Sequence, residues 1–132
     1  MFAYKDVLDK KLNKIHREYY LTQGDSFSLI ATPLDVDINL IHQIVFKFGL
    51  PKSFGSCEIE ELYTQNYIKR ESDFICMVSA DVTKDWTPTC CNIDKETGLE
   101  IPYVYEIEIH FNDETIETVE QYNFKVLKQI GG

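Results

Sequence analysis

Apolar and polar positions alternate most cleanly in the stretch Ile101 to Leu127. Tyr103, Tyr105, Ile107, Ile109 and Phe111 share one parity, and Val104, Glu106, Glu108, His110 and Asn112 share the other. Successive strand side chains point to opposite faces, so this pattern predicts a strand with one apolar and one wet face. Asn112-Asp113-Glu114 reads as a polar turn, and Tyr122, Phe124 and Val126 alternate on the way back. The result is a β-hairpin whose apolar face needs a second layer to cover it.

The start of the chain follows another rhythm. Tyr4, Val7, Leu8, Leu12, Ile15 and Tyr19 recur at three- and four-residue steps, which predicts a helix over residues 1 to about 17. Lys10, Lys11, Lys14 and Arg17 gather toward its end, where positive charge suits the helix dipole. Residues 18–23 suggest a short strand. Gly24-Asp25 marks a turn, and 26–32 alternate until Pro33 ends the pairing. Residues 41–48 form the next strand, closed by a Pro/Gly loop over 49–55. Residues 58–69 suit helix or strand. Residues 73–80, apolar on both parities, read as a central strand, and 87–100 as a long loop beside Trp86. Strands at roughly ten-residue spacing without intervening helices predict a mostly β fold. The expected architecture is an antiparallel β-sandwich, immunoglobulin-like or jelly-roll-like, with an N-terminal α-helix. The expected division is a helical arm over 1–20 and a sandwich domain over 21–130.

Composition narrows the function classes. The chain has 132 residues, 44% of them hydrophobic, enough for one domain with a real core. Its net charge of −9 argues against binding nucleic acid or anionic membrane by bulk electrostatics. No run of about 18 apolar residues predicts a membrane span. The charged start lacks the apolar core of a secretion signal, so synthesis in a cytoplasm with reduced thiols is expected. Cys57, Cys76, Cys90 and Cys91 form no CxxC pair. They read as buried or incidental thiols, with a zinc site using Cys57, Cys76, Cys90 and a histidine as the first alternative and a disulfide behind it. Adjacent Cys90 and Cys91 do not easily put both sulfurs on one tetrahedral ion. Asp35 and Asp37 lack the glycine and distal glutamate of a calcium loop. His16, His42 and His110 form no HxH or HExxH, and neither a GxSxG elbow nor a phosphate-binding glycine loop occurs. Glu106, Glu108 and His110 share a strand face and suggest at most a weak cation site. No cofactor, metal or catalytic residue is therefore expected.

The run LTQGDSFSLIATPLDVDINLIHQIVFKFG carries Gly24-Asp25-Ser26, the alternating stretch Phe27 to Ala31, the acidic turn Asp35 to Asp37 and the strand Ile44 to Phe48. Near the end come Tyr103 to Ile109, Asn112-Asp113, Thr118-Val119 and Phe124-Lys125-Val126. In these features, and in the middle segment DFICMVSADVTKDW, the sequence resembles the N-terminal domain of phage baseplate upper proteins from Gly24 to Val126. The segment before Gly24 and the loop holding Cys90-Cys91 depart from that pattern. The resemblance implies a non-enzymatic β-sandwich that joins neighbouring tail or baseplate subunits and sits in the virion, as a homo-oligomer without nucleic-acid or membrane partners. Aromatic and apolar residues left after filling a core are the expected contacts: Phe2, Tyr4, Leu8, Tyr19 and Tyr20 on the arm, and Trp86 at the long loop. Two other readings stand beside it. One is a small-ligand or carbohydrate-binding sandwich with Trp86 and loop 87–100 as platform. The other is an acidic inhibitor of a host defence system.

Overall fold

The computed structural model describes residues 3–9, 14–31, 37–67 and 74–130. They form a mostly β protein with eight strands: β1 (Ala3–Asp9), β2 (Lys14–Thr22), β3 (Phe27–Ala31), β4 (Ile41–Pro51), β5 (Ile59–Tyr67), β6 (Phe74–Val78), β7 (Tyr103–Phe111) and β8 (Ile116–Leu127). A six-stranded sheet has the order β1-β2-β8-β7-β4-β5, and β3 and β6 make a second, two-stranded sheet. All pairings are antiparallel except β2 with β8, which is parallel. The expectation of a purely antiparallel arrangement is corrected there.

The N-terminal α-helix is not formed. Its described residues lie in β1 and β2, two antiparallel strands with Leu8 opposite Ile15 and Tyr4 opposite Tyr19. The same register places Lys5 opposite Glu18, Asp6 opposite Arg17 and Asp9 opposite Lys14, so every charged position of β1 faces one of opposite sign. Complementary facing positions favour hairpin pairing, and helical spacing cannot reveal them. β2 then pairs with β8 through Tyr19↔Phe124 to Thr22↔Leu127, so this segment is part of the main sheet.

The closing hairpin folds as its alternation predicts. Tyr103, Tyr105, Ile107 and Ile109 on β7 and Phe124 and Val126 on β8 are buried. At the turn Glu114 has φ 72° and donates its N–H to the Phe111 carbonyl. Asp113 Oδ1 accepts from both the N–H and the hydroxyl of Thr115. Left-handed backbone is costly outside glycine, and these short-range bonds hold it.

One core joins the two sheets. β3 contributes Phe27 and Leu29, β6 contributes Phe74, Cys76 and Val78, and β4 contributes Ile44, Phe46 and Phe48 to the cluster that includes the inward face of β7 and β8. A two-stranded sheet is marginal alone, and this shared burial sustains it. Gly24, at φ 85°, makes the turn from β2 into β3. The turn is tied down by Thr83, whose buried hydroxyl donates to the Asp25 carbonyl at 2.7 Å. Thr83 closes the short helix α1 (Ala80–Thr83), which delivers Trp86 to the core.

β4 and β5 lose register between Phe48 and Gly49, because Phe48 faces Tyr63 while Gly49 faces Glu61. This bulge lets both Leu62 and Tyr63 pack against the core. Next to it Gly49 is close-packed: a Cβ there would stand 2.6 Å from Ile59 Cγ2 and 3.0 Å from the Glu60 carbonyl oxygen. Gly49→Ala is therefore expected to cost about 1–3 kcal/mol, because the backbone of β5 must shift. Urea denaturation followed by circular dichroism reads this directly, and an unchanged midpoint would mean that Ile59 yields freely.

Candidate interaction surface

Two faces outside the core carry notable chemistry. The first is the outer face of the six-stranded sheet. β4 and β7 pair so that Val45 faces Glu108 and Lys47 faces Glu106. Lys47 Nζ lies 3.1 Å from Glu108 Oε1, and His110 Nε2 lies 3.0 Å from the same oxygen. Gln43 Nε2 sits 3.3 Å from His110 Nδ1, and the Thr118 hydroxyl donates to Glu106 Oε1 at 3.2 Å. Burial opposes the Glu108 charge, but hydrogen bonds from His110 and Lys47 outweigh it and hold the carboxyl below its usual 4.5. The hydrogen bond to Glu108 in turn raises the Lys47 ammonium above its ordinary range.

Glu106, Glu108 and His110 do share one strand face, as the alternation predicts, yet Glu108 is occupied by Lys47 and His110. Among the described residues no group of three His, Cys, Asp or Glu side chains is arranged to hold a metal ion. A depression of about 190 Å³ lies beside the network, floored by Gly49 and Val104 and rimmed by Lys47, Glu61 and Glu106. Its walls hold no nucleophile next to a base. The network instead links stability to pH. A carboxyl depressed in the folded state stabilises the protein above its unfolded value, and that contribution disappears as pH falls through the folded value. Glu108→Gln is expected to cost about 1 kcal/mol or less at neutral pH, given the half-exposed lysine partner. It should also flatten the loss of stability below pH 4.5, a window visible in melting curves taken from pH 7 to pH 3.

The second face belongs to the small sheet. β6 reads Phe-Ile-Cys-Met-Val without a charge or a proline. Phe74, Cys76 and Val78 point into the core, whereas Ile75 is 46% and Met77 66% exposed. The expected central strand over 73–80 is corrected: among the described residues β6 pairs only with β3. The Cys76 thiol donates to Gln65 Oε1 at 3.2 Å, and burial pushes its pKa up to about 12, so it stays protonated. The contrast with the edge of the main sheet is informative. Glu58, Glu60 and Glu61 crowd the start of β5, and such charges blunt an open edge against strand addition. β6 carries no such charge, and the Tyr67 hydroxyl is hydrogen-bonded to the Met77 backbone there.

The contact residues expected from sequence fall elsewhere. Phe2 lies outside the described residues. Tyr4 and Leu8 occupy β1, as strand rather than helix positions. Tyr19 packs edge-on against Tyr105 at 5.4 Å and joins the core. Tyr20 is half-buried at the rim of a groove lined also by Leu21, Gly24, Phe27 and Ala80. Trp86, the expected contact at the long loop, is 5% exposed and stands among Phe27, Phe48, Tyr103 and Phe124. It therefore presents no platform to a ligand. Loop 87–100 is itself pinned: Tyr103 donates its hydroxyl to the Thr87 carbonyl at 2.6 Å, and buried Thr89 accepts the Val126 N–H at 2.9 Å. Ile75 and Met77 were missed, although a run of five apolar residues without charge was the available signal.

Neither the protein-family models nor the curated proteins include a match to this chain. Among the described residues no helix is long and apolar enough to cross a membrane.

Proposed function

We propose that this chain is a non-enzymatic structural β-sandwich that assembles through the open edge and outer face of β6. The proposed setting is a phage or phage-derived tail or baseplate, where it joins neighbouring virion subunits, including copies of itself. The observation that carries the reading is β6: five uncharged residues, two large apolar side chains turned to solvent, and no second ladder partner among the described residues. A strand edge without a second ladder can take an added strand, here by displacing the Tyr67 hydroxyl from the Met77 backbone, and alternate apolar side chains seal it. The occupant is the β6 of a second copy. Antiparallel pairing about a twofold axis would merge two small sheets into one of four strands, with Ile75 and Met77 of both copies on the same side. A five-residue edge is short, so pairing is weak in dilute solution and is reinforced where many copies are held together.

Two measurements test this. Size-exclusion chromatography with light scattering should give a reversible, concentration-dependent dimer, and a monomer from micromolar to millimolar concentration would overturn the self-pairing. Quantitative mass spectrometry of purified phage particles should find the chain at a fixed copy number that is a multiple of three or six. Absence from particles, with abundant protein in the cytoplasm, would overturn the virion setting.

A further inference from the structure

Cys90 and Cys91 stand side by side on the short 3-10 turn Thr89–Cys91, both exposed, with their sulfurs 3.8 Å apart. The turn is held from both ends. Thr89 is anchored by the Val126 N–H, Cys91 N–H donates to the Pro88 carbonyl and Asn92 N–H to the Thr89 carbonyl. Beyond it Asn92 is clamped to Ile101 by two hydrogen bonds, Ile101 N–H to the Asn92 carbonyl and Asn92 Nδ2 to the Ile101 carbonyl. The two thiols therefore stand close together on a fixed backbone.

Three kinds of chemistry could use them. A disulfide is disfavoured, because adjacent Cα atoms sit about 3.8 Å apart across a trans peptide, below the usual span of about 4.4–6.8 Å. A zinc ion bonded to each sulfur at about 2.3 Å in tetrahedral geometry would span this gap, but zinc needs three or four protein ligands. No third ligand joins the pair among the described residues. What fits is a soft centre that requires two thiols and no more.

We propose that Cys90 and Cys91 form a bidentate site for a monosubstituted trivalent arsenical, R–As(OH)₂. Two As–S bonds form as two As–O bonds break. Each thiol proton leaves with a hydroxide as water, and arsenic remains trivalent, so no oxidant or reductant takes part. The hydrogen bond between the two thiols raises Cys90 above its ordinary range and marks how closely the pair is held. The same loop carries exposed Ile93 and Leu99, apolar surface near in sequence for the organic substituent.

Phenylarsine oxide is the probe. Intact-mass spectrometry of the folded protein should find one phenylarsenic per chain, retained against excess glutathione and released by ethanedithiol. Closing the second As–S bond within one molecule should make retention at least about a hundredfold stronger than for a single thiol. Cys90→Ser and Cys91→Ser should each lose that retention, while Cys57→Ser keeps it. Both replaced thiols are exposed, and circular dichroism confirms that the variants fold. Retention that survives in Cys91→Ser, or wild-type protein stripped by glutathione, would overturn the assignment.

Discussion

Trp86→Ala is expected to lower the melting temperature more than any other single replacement considered, by roughly 10–20 °C. Trp86 is 5% exposed, and its ring centre lies 6.3 Å from Phe27, 5.9 Å from Phe48, 6.0 Å from Tyr103 and 6.0 Å from Phe124. These distances are within the range of favourable aromatic pairs, which add to the area term. The four partners come from β3, β4, β7 and β8, so the indole fills the space where the small sheet meets the main one. Truncation removes the largest side chain in that space and leaves a cavity bounded by both sheets. Large aromatic-to-alanine changes cost about 3–5 kcal/mol. At this chain length each kcal/mol is worth roughly 3–5 °C. Circular dichroism is the readout, because the variant loses the chain's only tryptophan. Trp86→Phe should recover part of the loss, since it refills the site without restoring its volume. A shift of only a few degrees would mean that the two sheets are held together mainly by the β3 and β6 side chains.

This dependence explains which parts of the fold were legible in the sequence. The closing hairpin could be read because its alternation is local: Tyr103, Tyr105, Ile107 and Ile109 face the core whatever lies above them. The N-terminal segment could not. Its apolar residues recur at helical steps only when counted straight through residues 10–13, whereas the pairing folds the chain back on itself. In that register Tyr4 meets Tyr19 and Leu8 meets Ile15, a mirror pattern with no period. Trp86 was misplaced for a related reason. An aromatic residue beside a long loop is buried or exposed according to how two distant sheets meet, and no local window carries that information. Ile75 and Met77 were hidden by an ambiguity of a different kind. A strand apolar on both faces has the same composition whether its second face meets another layer or solvent.

The largest expected effect outside stability concerns that second face. Met77→Lys should weaken self-association by at least about a hundredfold, close to 3 kcal/mol. Because a twofold pairing uses β6 twice, each dimer receives two lysines from one substitution. Both ammonium groups would have to lose water beside the partner's apolar face, where no acidic residue of β6 can receive them. The monomer should tolerate the change. Met77 is 66% exposed, so lysine there keeps its charge in solvent and the melting temperature of dilute protein should stay within a degree or two. That separation is the core of the test: a variant that melts normally yet no longer dimerises has lost an interface and kept its fold. Glu61→Lys on the edge of β5 is the control, since that strand is already guarded by charge and should not enter the pairing. Salt supplies an independent sign. Each chain carries −9, so long-range repulsion opposes dimerisation. Raising ionic strength shortens the Debye length from about 10 Å at 0.1 M to about 3 Å at 1 M, and the wild-type dimer should therefore tighten. An interface held by ion pairs would loosen over the same range. Association that weakens with salt, or that survives Met77→Lys, would move the contact away from β6 to another surface of the protein.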